Sequence, residues 1–169
     1  MTDSPSSSPD PKHWHVARWS PLAWLETTIK IIGLLIAIGA LLFMLAEGRT
    51  FDFPDGVRRA QWIVLVLLAL GLVAAIVDRI IEREIVAMGF VIINNLGHWG
   101  MVIALMFAPY PDGELLAFAG LMFFGDLIKL WFLYMSGFTV RNTPRAVLYG
   151  LTLVYVIGYL VIVLFGLAV

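Results

Sequence analysis

Long apolar runs separated by short polar connections dominate this chain of 169 residues. A helix needs about 20 mostly apolar residues to cross the hydrocarbon core of a bilayer. Five segments meet that need, at residues 21–46, 60–77, 85–108, 115–135 and 144–169. Ser20 before Pro21, and Thr143 before Pro144, give the first and fifth segments a cap-then-proline start. The pattern predicts an all-α, polytopic membrane protein, a bundle of five transmembrane helices.

The third segment departs from this regular pattern because VIINNLGHWG, residues 91–100, places polar side chains inside it. An alternative with four spans would lay this segment in the membrane interface. Its length matches a span, and its polar residues cluster instead of forming a full polar face, which favours five. The connections are short, such as PYPDGE at residues 109–114. Short connections predict that successive helices pack as antiparallel neighbours.

Composition supports a membrane protein and removes several classes of function. Hydrophobic residues make up 61% and charged residues 14%, against about 45–50% and about 25% in soluble proteins. Mean hydropathy is +0.93, so much of the apolar surface must face lipid. A net charge of −1 offers no basic surface for nucleic acid. The absence of cysteine excludes disulfides, thiolate nucleophiles and cysteine-type metal sites.

The distribution of Lys and Arg predicts the orientation of the bundle, because cytoplasmic connections carry the excess of positive charge. One side would hold Lys12, Arg18, Lys30, Arg79, Arg83, Arg141 and Arg145, together with Lys129 if its side chain snorkels that way, and the other Arg49, Arg58 and Arg59. This bias places the N-terminus in the cytoplasm and the C-terminus outside. Residues 1–19 are predicted to be a disordered or interfacial segment without a signal peptide, and residues 20–169 a single transmembrane domain. We expect the cell (inner) membrane as its location.

Polar and ionisable residues lie near the middle of three predicted helices. They are Asn94, Asn95 and His98 in the third, Asp126 and Lys129 in the fourth, and Tyr155 and Tyr159 in the fifth. Spacings of three and four put Asn94, Asn95 and His98 on one helix face. An ionised side chain at the bilayer centre costs about 2.5–3.5 kcal/mol on insertion scales, so such residues are by default candidates for a functional site.

Antiparallel geometry allows the depths of these residues to be compared. If the third helix runs outward and the fourth runs back, His98 comes level with Asp126, and Asn94 with Lys129. The spacing therefore predicts that His98 faces Asp126 and Asn94 faces Lys129, with Asp126 and Lys129 satisfying each other's charge. Tyr155 and Tyr159 would close the patch. The same residues also fit a second interpretation, in which hydrogen bonds simply lock the helices together.

Several functions fit this sequence. The first hypothesis is a small transporter, channel or ligand-binding membrane protein that uses the mid-membrane polar site of helices three, four and five. The alternative is a non-catalytic accessory or assembly subunit of a larger membrane complex. A membrane-embedded lipid-modifying enzyme fits least, because no paired aspartates, metal-ligand cluster or catalytic motif is present. We therefore expect no catalytic residue, metal or cofactor, and we expect the bilayer and either a homo-oligomer or other membrane subunits as partners.

Overall fold

The structure, a computed structural model, describes residues 20–81, 85–137 and 143–168. Five helices lie in these ranges: α1 Pro21–Ala46, α2 Val57–Ile81, α3 Ile85–Ala104, α4 Asp112–Ser136 and α5 Arg145–Leu167. Two short strands, β1 Thr50–Phe51 and β2 Phe107–Ala108, pair antiparallel. The all-α fold predicted from the apolar runs is confirmed.

Several helix boundaries differ from the predicted ones: α2 is longer, at Val57–Ile81 instead of residues 60–77, and α4 begins at Asp112 instead of residue 115. The third helix ends at Ala104, not at residue 108, because the chain then turns and forms β2. Ser20 caps α1 as predicted, since its hydroxyl oxygen accepts a hydrogen bond from the backbone N–H of Ala23 at 3.3 Å. The matching prediction for the fifth helix is wrong. Pro144 itself takes the N-cap position there, and no side chain caps the helix.

The bundle has two ends, which the connections define. The inner end, predicted to face the cytoplasm, holds the start of α1, the end of α2, the start of α3, the end of α4 and the start of α5. The outer end is held together by the β1–β2 pair, which joins the α1–α2 and α3–α4 connections. The C-terminal part of α5 lies at the outer end as well, because Gln61 near the start of α2 donates a hydrogen bond to the carbonyl of Ile162.

The helices form a closed ring whose order differs from the order in the chain. α1 packs against α3 and α4, α2 packs against α3 and α5, and α4 packs against α5. Around the ring the order is therefore α1, α3, α2, α5, α4. The prediction that successive helices are neighbours is confirmed for α2–α3 and α4–α5. It is wrong for α1–α2, because α3 packs between these two helices, and for α3–α4, which are not a principal packing pair either. The cause is that α1 packs between α3 and α4.

Small residues let α1 occupy that position. A Cβ at Gly97 of α3 would lie 3.3 Å from the Cα of Leu34, and one at Gly33 would lie 2.3 Å from the terminal methyl of Met122 in α4. Backbones can approach this closely only where side chains are very small. Glycines on α1 and α3 therefore set the ring order.

The outside of the bundle is apolar, as a lipid-facing surface must be. Large side chains such as Leu35, Leu67, Phe124 and Leu164 are more than half exposed, whereas soluble monomers rarely expose so much contiguous apolar surface. Among the described helices, four are long and apolar enough to cross a membrane, and α3 carries the shorter apolar stretch Met88–Ala104. At 1.5 Å per residue, α3 nevertheless spans about 30 Å from one end of the bundle to the other. The chain is an integral membrane protein.

The two halves of the bundle interior differ. The hydrophobic core occupies the outer half and consists of side chains that are almost fully buried, among them Leu65, Leu105, Leu115, Phe118 and Ile162. The inner half contains a cavity instead. The candidate site residues described below lie in the wall of this cavity or close to it.

Candidate functional site: a cavity in the inner half of the bundle

A cavity of about 620 Å³, termed the inner cavity, lies in the half of the bundle nearest the inner end. All five helices contribute to its wall, through residues 23–31, 67–79, 90–94, 129–133 and 147–155. Leucine, valine, isoleucine and alanine dominate the lining, with a few polar side chains among them. Size and lining both match those of small-molecule sites, which are mostly apolar and occupy about 300–1,000 Å³.

One side of the inner cavity is open between α2 and α5. The residues that line it on these two helices are exposed, with 62% for Leu67, 54% for Leu151 and 57% for Val154. On the opposite side Ala23 and Leu133 are buried, at 7% and 3%. Leu151 is six residues into α5, about 9 Å from its inner end at 1.5 Å per residue. The opening therefore lies at the depth of the lipid tails.

This opening predicts a lipid environment at Leu151. Because the chain has no cysteine, the Leu151→Cys variant can be spin-labelled at a single position. In lipid vesicles we expect its paramagnetic relaxation to respond more strongly to oxygen, which dissolves in lipid, than to a water-soluble nickel chelate. Leu164→Cys, on the lipid-facing surface of the outer half, is the matched control. A response to the chelate well above that of the control would show that the opening faces water.

An ion cluster stands beside the inner cavity and joins α1 to α4. The ammonium of Lys30 donates to Glu26 at 2.8 Å and to Asp126 at 2.7 Å. Asp126 is 4% exposed and Lys30 12%. The stem of Lys30 packs over Gly125, with its Cγ and Cε 3.4 Å from where a Cβ would stand.

This cluster corrects one predicted pairing. Lys30, and not Lys129, neutralises Asp126. In the sequence, Glu26 and Lys30 have only the spacing of an ordinary i,i+4 ion pair on one helix, which does not indicate a partner on another helix. The depth of Lys30 below the inner end of α1 could have identified it as the partner of Asp126. Lys30 lies nine residues from the start of α1, about 14 Å, and Asp126 lies ten residues from the end of α4, about 15 Å.

His98 sits at the centre of the ring, at the boundary between the core and the inner cavity. Its Nδ1 is 2.7 Å from the carbonyl oxygen of Asn94, and its Nε2 is 2.7 Å from the hydroxyl of Tyr159. A carbonyl can only accept, so Nδ1 carries the proton, and in the neutral ring Nε2 accepts from the Tyr159 O–H. Both ring nitrogens are therefore used within the bundle, and His98 and Tyr159 are fully buried.

The predicted contact of His98 with Asp126 is replaced by this His98–Tyr159 bond. Asp126 is still close enough to interact electrostatically with His98, Tyr155 and Tyr159. The predicted partners of His98 and Asp126 therefore differ from the observed ones, which are Tyr159 and Lys30. Tyr159 reaches His98 because α5 follows α4 around the ring, and Phe118 of α4 packs edge-on against the same imidazole at 5.2 Å.

Two more of the predicted site residues bind backbone atoms of α2. The hydroxyl of Tyr155 donates to the carbonyl of Leu68 at 2.8 Å, and Gly71 leaves the space for it, since a Cβ there would lie 2.6 Å from that hydroxyl. The amide of Asn95 reaches the carbonyl of Ala69 at a long 3.5 Å. These bonds hold α5 and α3 to α2, and Tyr155, Leu68 and Gly71 are themselves part of the wall of the inner cavity.

Asn94 and Lys129, the second predicted pair, both line the inner cavity. The Oδ1 of Asn94 is buried and has no hydrogen-bond partner among the described residues. Lys129 is half-buried, and its ammonium makes no ion pair or hydrogen bond within residues 20–81, 85–137 and 143–168. The structure therefore places both residues in the wall of the inner cavity, but it shows no hydrogen bond between their side chains.

No family model, no curated protein and no solved structure matches this chain. A function can therefore be inferred only from its own side chains and cavities. In the described part of the chain, no group of three or more His, Asp or Glu side chains is arranged to hold a metal ion. The chemistry that the site offers is binding: an apolar chamber with a lysine and an amide on its wall.

Sequence reasoning also missed a polar cluster at the outer end. Gln61 is fully buried, donates to the carbonyl of Ile162 at 2.9 Å, and accepts from Arg58 at 2.9 Å. Arg58 in turn pairs with Asp112 at 2.5 Å. This chain of contacts ties α2 to α4 and α5, and it closes the outer end over the hydrophobic core.

Proposed function

We propose that this integral membrane protein binds a small, largely apolar ligand in the inner cavity. The single observation that carries the proposal is the 620 Å³ chamber lined by all five helices. The mostly apolar lining offers a ligand many van der Waals contacts, which are individually small and collectively large. A ligand that fills the chamber gains those contacts. The opening between α2 and α5 would give the fatty chains of the surrounding bilayer direct access to the cavity.

The distribution of packing favours binding or carriage over an open pore. The core of the outer half is filled by buried side chains such as Leu65, Leu105 and Phe118. The cavity thus ends near mid-membrane, and a ligand would arrive and leave through the inner half. The proposal includes the cell (inner) membrane as the location, with the inner end toward the cytoplasm, on the distribution of Lys and Arg.

A cavity-filling substitution tests this function. Ala75 lines the inner cavity, whereas Val77, two residues further along α2, does not line it and is 51% exposed. We expect Ala75→Trp to weaken binding of an apolar fluorescent probe, Nile red, at least about tenfold, since each tenfold loss equals roughly 1.4 kcal/mol. Val77→Trp should bind it as the wild type does. Binding is measured as saturable fluorescence in lipid nanodiscs, after subtraction of empty discs.

Two results would contradict the proposal. One is a wild-type protein that shows no saturable probe binding above empty discs. The other is equal binding by Ala75→Trp and Val77→Trp, because a ligand in the inner cavity must collide with the new indole. Circular dichroism of both variants shows whether each remains helical.

A further inference from the structure

The inner cavity is lined by one charged group, the ammonium of Lys129, that makes no ion pair within residues 20–81, 85–137 and 143–168. Asp78 and Arg79 line the cavity near the inner end and pair with each other. Lys30 and Glu26 line it too and are paired within the ion cluster. Lys129 is the lining cation that has no partner among the described residues.

A cationic ligand fits this wall less well than an anionic one. The ion cluster holds two carboxylates against one ammonium, but Asp126 does not line the cavity, and Glu26 already accepts from Lys30. A buried or half-buried charge in a membrane needs a counter-charge. Among the described residues, the ammonium of Lys129 has no such counter-charge, so an anionic ligand would stabilise it.

The volume limits the size of the occupant. At about 30 Å³ per water-sized unit, the 620 Å³ cavity accommodates roughly 20 non-hydrogen atoms. A single fatty chain with a compact head group has about that many atoms, whereas a two-chain phospholipid has more than twice as many. Asn94 supplies an unused acceptor, its buried Oδ1, for a hydroxyl or water held with the head group.

We propose that the ligand is a single-chain amphiphile from the bilayer whose anionic head group binds Lys129. This inference rests on the proposed function and adds the ligand class and the residue that selects it. The chain would pass through the opening between α2 and α5, where the lining is apolar and exposed. Lys129 would then act as the specificity-determining residue of the cavity.

Competition among three amphiphiles of equal chain length tests the head group. Hexadecyl sulfate, hexadecanol and hexadecyltrimethylammonium are each added to the full-length protein at equal mole fraction in zwitterionic nanodiscs. Displacement of Nile red is measured. In the wild type we expect the sulfate to compete about tenfold more strongly than the alcohol, as a charge-assisted hydrogen bond implies. Lys129→Met should abolish that preference while still binding the alcohol. Arg145→Gln, which removes an exposed cation outside the cavity, should keep it.

The remaining outcomes separate this inference from the proposed function. Equal competition by sulfate and alcohol in the wild type, or a preference that survives Lys129→Met, overturns the anionic head group and leaves ligand binding intact. Strongest competition by the ammonium compound overturns it as well and assigns the head group to Glu26. If none of the three displaces the probe and Ala75→Trp binds the probe normally, the inner cavity is not the binding site and both proposals fail.

Discussion

Replacing Lys30 with methionine is expected to lower the free energy of unfolding by about 3–5 kcal/mol, the usual cost of removing one partner from a buried ion pair. Asp126 would then be left ionised at 4% exposure, with no other partner in the described structure. Glu26, four residues from position 30, would add repulsion between two carboxylates. The measurement is equilibrium unfolding of the purified protein in mixed micelles, followed by circular dichroism.

The chain supplies its own control for this experiment. Lys129→Met removes a lysine at a similar depth, but one that has no partner among the described residues, so its unfolding free energy should change by less than about 1 kcal/mol. The double variant Lys30→Met/Asp126→Leu removes both charges and should recover most of the loss, because apolar replacement of a whole buried pair is often neutral. Equal stability of Lys30→Met and Lys129→Met would show that the ion cluster does not hold α1 to α4.

The sequence was sufficient to predict the helices and their depths, because both follow from one periodic structure with a fixed rise per residue. Pro21, the apolar run after it and the position of Asp126 along its helix needed no tertiary information. Depth alone, however, cannot name a partner. The rise per residue predicts His98 and Asp126 at the same depth, yet each bonds to a residue of a helix that depth did not indicate, Tyr159 of α5 in one case and Lys30 of α1 in the other.

The lateral order of the helices was the missing information, and short connections do not determine it. The α3–α4 connection is as compatible with adjacent helices as with helices separated by α1. The choice depends on close contacts that involve particular glycines, such as Gly97 against Leu34 and Gly33 against Met122. Small residues four apart, such as Gly33 and Ala37 in α1 or Gly100 and Ala104 in α3, mark a face for close helix packing. They do not say which helix packs there. The inner cavity was unpredictable for the same reason, since its volume depends on the ring order.

The structure divides the predicted site residues into two groups with different physical roles. Asn95, His98, Asp126, Tyr155 and Tyr159 each have a polar atom bonded to another helix, and such bonds hold the ring together. Asn94 and Lys129 keep polar atoms unbonded in the inner cavity. The two interpretations of the mid-membrane patch, helix locking and ligand binding, therefore apply to different residues. We propose Lys129 as the residue for ligand binding, while stability measurements address the helix-locking group.

Replacing Tyr159 with phenylalanine is expected to cost about 1–3 kcal/mol of unfolding free energy, because it leaves the Nε2 of His98 buried without a donor. Tyr155→Phe is the matched control. Its hydroxyl donates to the carbonyl of Leu68, which lies inside α2 and keeps its helical bond. Removing that hydroxyl loses one hydrogen bond but strands no group, so its cost should be smaller, about 0.5–1.5 kcal/mol. Unfolding in mixed micelles gives both values.

Nitrogen NMR of the same variants separates the hydrogen bond from simple loss of packing. With His13 and His15 replaced by glutamine, His98 is the one remaining histidine of the chain, so a ¹⁵N-histidine spectrum reports on it alone. The wild-type background should show the neutral ring protonated at Nδ1, as the bond to the Asn94 carbonyl requires. In Tyr159→Phe the Nε2 resonance should shift toward the value of a free acceptor, and in Tyr155→Phe it should not move. An Nε2–H tautomer in the wild type would mean that His98 does not donate to Asn94, and the predicted difference between the two tyrosines would then lose its cause.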